Sequence, residues 1–475
     1  MKQINLKIDG VDITVPEGFT VLEAAQSAGI YIPTLCADKD MLPYGACRIC
    51  IVKIEGMRGL PTSCSTVAAD GMVVHNDTDE VNEPRRMICE MLIADHPMVC
   101  LSCAANQRCE LQTVASYLGV TESRLRRMVR KHVLDESNPF FVRDLEKCIL
   151  CGKCVRACSE LRNVNAIEIV DRGFNSRVSA FADMPIRESV CVSCGECVDR
   201  CPVAALWTKS ETLPPAREVK TVCPYCGCGC NLVLGVRGGR IVSIRGDADH
   251  PVNKGSLCVK GRFGLDFVNS KDRLTMPLIK RNGKFEEAGW EEALAFAAEK
   301  FGEIKKKNGP DALAGLSSAK CTNEENYLFQ KFIRAGIGTN NLDHCARLCH
   351  SSTVAGLAQS FGSGAMTNSI HEFEHADCIF VIGSNTTEAH PIIGLRVKTA
   401  VVKNGADLII ADPRRIDLVH FAGLHIRQRS GTDVALINAM MNVIISEGLC
   451  DDDFIAARTE AFKEFKKLWQ DNPCL

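Results

Sequence analysis

Hydrophobic and polar positions alternate at period two over residues 3–8, where Ile4, Leu6 and Ile8 take one face and Gln3, Asn5 and Lys7 the other. The alternation returns over 11–15, and Asp9-Gly10 between the two runs is a hairpin signal. The pattern then becomes helical near 20–28. It is helical again from about 79 to 119, and a charged stretch over 121–132 reads as a helical connector. Apolar runs at 231–236 and 240–244 predict a second hairpin, turning at Gly238-Gly239. Beyond residue 276 the periods alternate: helix over 290–306, a short apolar run at 312–316, helix over 323–335. The nearly continuous apolar runs 377–382 and 406–411 predict parallel strands buried on both faces, and helices over 391–403 and 432–447 complete βαβ units.

Composition narrows the class. A chain of 475 residues predicts about three domains, and 46% hydrophobic with 24% charged residues excludes disorder and fibre. A formal charge of -2 gives no basic field for nucleic acid or anionic lipid. No run approaches the ~18 apolar residues of a membrane span, and Met1-Lys2-Gln3-Ile4 opens a strand, not a signal sequence. The expectation is a cytoplasmic protein. Cysteine changes the picture: there are 27. Without a signal sequence, and with tight C-x-x-C spacing, these residues point to metal ligation and not to disulfides. Zinc sites usually show two separated pairs, whereas this chain shows runs of three or four.

Cys36, Cys47, Cys50 and Cys64 have the order and spacing of four cluster ligands. They resemble the plant-type 2Fe-2S arrangement, with the longer first gap found in the large iron-sulfur subunit of respiratory complex I. A hairpin followed by a helix suits the β-grasp fold of that domain, placed at 1–78. His96 precedes Cys100, Cys103 and Cys109, and one imidazole with three thiolates can close a 4Fe-4S site. The run resembles the helical module, here 79–119, that follows the 2Fe-2S domain in complex I, iron-only hydrogenases and some formate dehydrogenases. Cys89 fits no ligand pattern and reads as a core residue.

Two copies of C-x2-C-x2-C-x3-C follow, Cys148, Cys151, Cys154, Cys158 and Cys191, Cys194, Cys197, Cys201, repeating every 43 residues. This is the two-cluster ferredoxin signature, in which each fourth cysteine crosses over. Over 138–209, Cys148, Cys151, Cys154 and Cys201 are expected at one 4Fe-4S cluster, and Cys191, Cys194, Cys197 and Cys158 at the other. Ser159 stands where the first copy's proline usually sits.

Cys223, Cys226, Cys230 and Cys258 have C-x2-C-x3-C-x27-C spacing, with Cys228 a rival for the third position. Cys223-Pro-Tyr-Cys-Gly-Cys-Gly-Cys230, with Gly255-Ser-Leu-Cys-Val-Lys260-Gly-Arg262, resembles the N-terminal 4Fe-4S domain of the molybdopterin oxidoreductases, formate dehydrogenases in particular. That domain is expected at 218–275 and the N-terminal part of the pterin-binding, Rossmann-like α/β domain at 276–475. The resemblance implies that Lys260 helps pass electrons between cluster and pterin. It implies that Cys349 holds molybdenum or tungsten and that His350 sits over the substrate, with Cys345 a non-ligand. It also implies pterin dinucleotide contacts at Gly383, Ser384, Asn385 and His390, at Asp412 and Arg414, and at Gly431 and Asp433. A small-residue turn at a strand's end is a phosphate site by geometry.

The fold class expected is therefore multidomain, α+β and α/β. The cofactors are one 2Fe-2S cluster, four 4Fe-4S clusters and a molybdenum or tungsten bis-molybdopterin guanine dinucleotide. The resemblance implies a formate dehydrogenase or carbon dioxide reductase subunit that hands electrons to a flavin- and NAD(P)-binding or ferredoxin-linked partner. Family members with this wiring continue well beyond Asp471-Asn-Pro-Cys-Leu475, so the expectation is either that a second chain completes the site or that the chain is a truncated product. The alternative is an iron-sulfur relay subunit without formate activity; an iron-only hydrogenase is disfavoured, since no cysteine motif for a hydrogen-forming cluster follows the repeat.

Overall fold

The computed structural model describes residues 2–210 and 213–471; Met1 and the chain's last stretch, 472–475, lie outside the described residues. The chain divides into two compact units, 1–369 and 370–475, each taken by itself.

The first unit begins with the hairpin. Strand Gln3–Ile8 pairs antiparallel with Val11–Pro16, placing Ile4 opposite Val15 and Leu6 opposite Ile13. It also runs parallel to Val73–His75, which pairs with Lys53–Ile54. The inward faces of these strands meet helix Val21–Ser27, which buries Val21, Leu22, Ala24 and Ala25. Thr20 starts that helix: its hydroxyl accepts from Glu23 N at 3.2 Å, and the Glu23 carboxylate accepts from Thr20 N at 2.7 Å.

Helix Asp79–Ala94 follows, and its Arg85 is fully buried. The guanidinium donates to Ile51 O and Asn76 Oδ1, both at 2.7 Å, and to Asn76 O at 3.0 Å, tying the helix to the loop that carries Cys50. The helical pattern expected over 79–119 is broken in its middle. Only the short turn Cys100–Ser102 lies between this helix and Glu110–Tyr117, because 95–109 wraps a cavity lined by its own His and Cys side chains.

The connector 121–132 is not a helix. Its arginines fall at a helix-like spacing of three, but each reaches a different neighbour: Arg124 pairs with Glu90, Arg127 donates to His96 O, and Arg130 pairs with Asp95. Met128 N bonds across to Ala94 O at 3.0 Å, so the backbone is anchored outside itself.

The 43-residue repeat is visible in the backbone. Leu150 and Ser193 both have φ of 52°, and Gly152 and Gly195 have φ of 71° and 72°. The two glycines open the short helices Lys153–Arg156 and Glu196–Asp199, in a left-handed conformation that costs glycine least. Strands Arg217–Val222, Asn231–Arg237 and Arg240–Gly246 then form an antiparallel sheet, with the tight turn at Gly238-Gly239 that the sequence predicts. A Cβ on Gly246 would lie 2.0 Å from Gly255 O, so only glycine lets the hairpin close on the loop leading to Cys258. Helix Trp290–Asn308, the parallel strands Gly315–Ser317 and Leu342–His344, and helix Ala346–Phe361 complete the described elements that matter here.

The second unit is a parallel three-stranded sheet of Cys378–Ile382, Asp407–Ala411 and Leu424–Ile426, with helices Pro391–Asn404 and Asp433–Ser446. The expectation that both apolar strands are covered on both faces holds for Asp407–Ala411 better than for its neighbour. Cys378 and Phe380 alternate outward to solvent, because no element within this unit covers that face of the edge strand.

Candidate metal centres and cofactor site

Cys36, Cys47, Cys50 and Cys64 come together at the loop beside the first sheet, linked sulfur to sulfur in the order Cys47, Cys36, Cys64, Cys50. Hydrogen bonds from Cys47 and then Cys64 pull the Cys36 thiol down to about 2, and Cys64 pulls Cys50 down to about 7. Cys47 and Cys64, as the donors, are pushed up. Four thiols this close share protons in place of a metal, and the donor set fits a 2Fe-2S cluster.

His96 lines a cavity with Cys100, Cys103 and Cys109. It is 9% exposed, and its Nδ1 is a buried atom without a hydrogen-bond partner. Burial, and next the charge of Lys147, hold the imidazole below its ordinary pKa. A neutral ring with an orphaned nitrogen beside three thiols is the state a metal ligand requires. Cys89 is fully buried, in the apolar core of this module and outside that cavity.

The ferredoxin repeat encloses two cavities. Cys148, Cys151, Cys154 and Cys201 line one, and Cys158, Cys191, Cys194 and Cys197 line the other, so each set takes its fourth sulfur from the other copy. Arg143 lines both. Burial pushes Cys151 up to about 12 and Cys158 and Cys201 up to about 11, which marks thiols that a metal cluster must deprotonate. In the first copy the Ser159 hydroxyl, where the second copy has Pro202, donates to Val155 O at 3.2 Å and to Arg156 O at 3.3 Å.

Cys223, Cys226, Cys228, Cys230 and Cys258 interact in one group. Cys228 is buried between Cys226 and Cys230, and its hydrogen bond is the first cause of the raised Cys230 pKa. Lys260 lies half-buried on helix Val259–Phe263, just past Cys258. Among the described residues no three His, Cys, Asp or Glu side chains close on a single ion; a 4Fe-4S cubane takes its four ligands at four separate irons.

Arginines stitch these loops together. Arg262, buried, pairs with buried Glu196 at 3.1 Å and with Asp199, and its Nε donates to Cys194 O at 2.7 Å. Phe263 beside it stacks on Phe140 with centroids 5.0 Å apart. Arg156 donates to Cys36 O and, at 2.6 Å, to Leu42 O. Arg130 donates to Cys148 O at 3.3 Å. Sequence reasoning gives none of the three a role, because an arginine near a cysteine run looks like a surface charge; their one signal is position within four residues of a ligand cysteine or on a connector between runs.

Cys349 and His350 are exposed on helix Ala346–Phe361, which kinks at His350 (φ -154°, ψ 29°). Cys345, one turn earlier, is engaged: its sulfur accepts from Ala319 N at 3.2 Å. Lys320, also absent from the sequence reading, donates to Pro224 O at 3.2 Å and to Tyr225 O, joining this segment to the 223–230 loop.

In the second unit the pterin-contact candidates sit just past the carboxyl ends of the parallel strands. Gly383 (φ 61°) follows Ile382, and Ser384, Asn385 and His390 lead into helix Pro391–Asn404. Asp412, 1% exposed, follows Ala411 and accepts from Arg414 N, Nε and Nη2 at 2.8–2.9 Å, leaving most of the guanidinium in solvent. Gly431 (φ 84°) precedes Asp433, which accepts from Gln428 Nε2 at 2.8 Å in the first turn of its helix. Glycine turns, helix starts and an exposed guanidinium at strand ends form a donor set that fits a phosphate-bearing ligand.

Five family descriptions match successive stretches: 2Fe-2S iron-sulfur cluster binding domain at 1–79, NADH-ubiquinone oxidoreductase-G iron-sulfur binding region at 85–124, and 4Fe-4S dicluster domain at 147–205. The Molybdopterin oxidoreductase Fe4S4 domain matches 216–270, and Molybdopterin oxidoreductase matches 273–464. Among relatives, "Probable oxidoreductase YjgC" of Bacillus subtilis is 35% identical over 97% of this chain and 51% of its own length. "NADPH-Fe(3+) oxidoreductase subunit alpha" of Geobacter sulfurreducens is 36% identical over 96% of this chain and 53% of its own. "Putative formate dehydrogenase SAR2393" of Staphylococcus aureus is 34% identical over 97% and 51%. The chain spans about half the length of the curated relatives it matches. Its residues 216–270 and 273–464 are of the molybdopterin oxidoreductase family, and its iron-sulfur region at 85–124 is of the NADH-ubiquinone oxidoreductase-G type.

Proposed function

We propose that this chain is the formate-oxidising or carbon dioxide-reducing subunit of a redox complex, with modules at 1–78, 79–119, 138–209, 218–275 and 276–475. One observation carries the reading: a cysteine directly followed by a histidine, Cys349-His350, both exposed at a helix kink within the molybdopterin oxidoreductase stretch. The Staphylococcus aureus relative's name supports the same substrate.

When bound, the bis-pterin molybdenum or tungsten centre would supply two-electron chemistry, and the 2Fe-2S and four 4Fe-4S clusters would supply single-electron storage. Cys349 would hold the metal, since a thiolate suits a soft, redox-active ion. Gly383, Ser384, Asn385, His390, Asp412, Arg414, Gly431 and Asp433 would hold the dinucleotides. Oxidation of one formate gives one carbon dioxide, one proton and two electrons; the His350 imidazole would meet the anion's charge and take the proton. Lys260 would lie between pterin and the cluster of Cys223, Cys226, Cys230 and Cys258. The remaining ligands are those of the sequence reading, Cys36, Cys47, Cys50 and Cys64, His96 with Cys100, Cys103 and Cys109, and the eight cysteines of the repeat. The partner is a flavin- and NAD(P)-binding or ferredoxin-linked subunit.

The Geobacter relative's name favours a second reading, in which the same relay exchanges electrons with an NADPH-linked partner and formate is not the substrate. Formate-dependent dye reduction separates the two. In the native complex Cys349→Ala is expected to abolish it while iron stays at about 18 per chain; a native complex without formate activity selects the relay reading.

A further inference from the structure

The two cavities of the ferredoxin repeat are alike in sulfur and unlike in their other charged groups; Glu196, which lines the one held by Cys158, Cys191, Cys194 and Cys197, is taken up by Arg262 at 3.1 Å and Arg200 at 3.3 Å. Arg162, four residues after Cys158, lines the cavity of Cys158, Cys191, Cys194 and Cys197. It is 6% exposed, and both Nε and Nη1 are buried without a hydrogen-bond partner. Among the described residues no other side chain has two such atoms. The repeat of 43 residues places Ala205, four residues after Cys201, at the equivalent position of the other cavity, which it lines. Arg143, shared by both cavities, already spends its guanidinium on Asp135 at 3.0 Å and Val178 O at 3.1 Å.

A guanidinium does not shed its proton, and burying it with unmet donors is costly unless an anion faces it. The anion chemistry that this cavity can hold is a thiolate-ligated iron-sulfur cluster, whose sulfurs accept hydrogen bonds and whose net charge is negative. We propose that Arg162 donates through Nε and Nη1 to the cluster held by Cys158, Cys191, Cys194 and Cys197, and raises its reduction potential above that of the cluster facing Ala205. The reduced cluster carries one more negative charge than the oxidised, so a facing cation and donor favours reduction. Electrons in the repeat then settle on the Arg162 side, the side that Arg262 joins to the 223–258 loop through Glu196 and Cys194. The proposal rests on the ligand assignment of the repeat and is independent of formate as substrate.

The test is a redox titration of the holoprotein followed by electron paramagnetic resonance, with iron content fixing the assignment separately. In Arg162→Ala one 4Fe-4S midpoint is expected to move negative, its reduction equilibrium weakened about tenfold, which for a one-electron couple is about 59 mV. The other midpoints stay, and Arg162→Lys recovers part of the shift. Unchanged midpoints at full iron content would overturn the proposal. Should Arg162→Ala lose that cluster, Arg162→Lys and Arg162→Gln decide: a more positive midpoint in the lysine variant supports the proposal, and equal midpoints refute it.

Discussion

The cysteines divide the chain into two regions of different finish. From Cys36 to Cys258 every cysteine is buried or half-buried, whereas Cys321, Cys345, Cys349 and Cys378 are exposed. The surrounding elements follow suit. Arg85, Arg156 and Arg262 are buried between the cysteine-bearing loops and bonded to main-chain carbonyls there. In contrast, helices Trp290–Asn308, Ala346–Phe361 and Asp433–Ser446 bury no residue. Trp290, Phe361 and Val434 are each at least 65% exposed. A cluster needs its ligands in a dry, preformed cavity, and the cysteine modules close on shared apolar cores, one of them joining Leu35 and Ile49 to Cys89 and Val114 and to Val203 and Ala204. An apolar helix face left uncovered is instead a surface for further protein.

That contrast can be broken experimentally, beginning with the junction where it is strongest. Arg262→Met leaves Glu196, which is 2% exposed, with Arg200 at 3.3 Å as its remaining ion pair, and is expected to cost about 3 kcal/mol in urea denaturation. Adding Glu196→Gln should recover a large part, and a single-variant loss below about 1 kcal/mol would show that the junction is loose. Next, Leu232→Ala, at a fully buried position, should cost about 2–5 kcal/mol, while Leu348→Ala, at a position 95% exposed, stays within about 0.5 kcal/mol. Equal losses would erase the distinction between the regions.

The smallest effect is acid-dependent and belongs to 370–475. Hydrogen bonding from Arg414 holds the Asp412 carboxyl below its ordinary pKa. Its stabilisation is therefore complete above the unfolded value of about 3.9 and is lost as pH falls through the lower folded value. Asp412→Asn should flatten the acid limb of melting temperature against pH, and an acid limb as steep as the parent's would rule the pair out as its source.

Much of the cysteine half is legible in the sequence, because ligand spacing is short-range and the hairpins at 9–10 and 238–239 announce themselves by turn residues. What is illegible depends on long-range partners. Arg124, Arg127 and Arg130 mimic a helix face, and only their scattered acceptors reveal an extended connector. Arg162 could have been found by writing the two copies of the repeat one beneath the other, where it stands opposite Ala205. The exposure of Phe380 could not, since apolar sequence records what a strand is able to bury and not what is present to cover it. Cys228 and Cys230 are both buried and hydrogen-bonded to each other, so burial does not rank them as ligands.

The central claim is that a cluster relay and a pterin metal site share this chain. Metal analysis of the native complex tests it most directly. The account predicts about 18 irons per chain, from one 2Fe-2S and four 4Fe-4S clusters, together with molybdenum or tungsten and pterin. Iron present in full with neither metal, in an intact preparation, would contradict it.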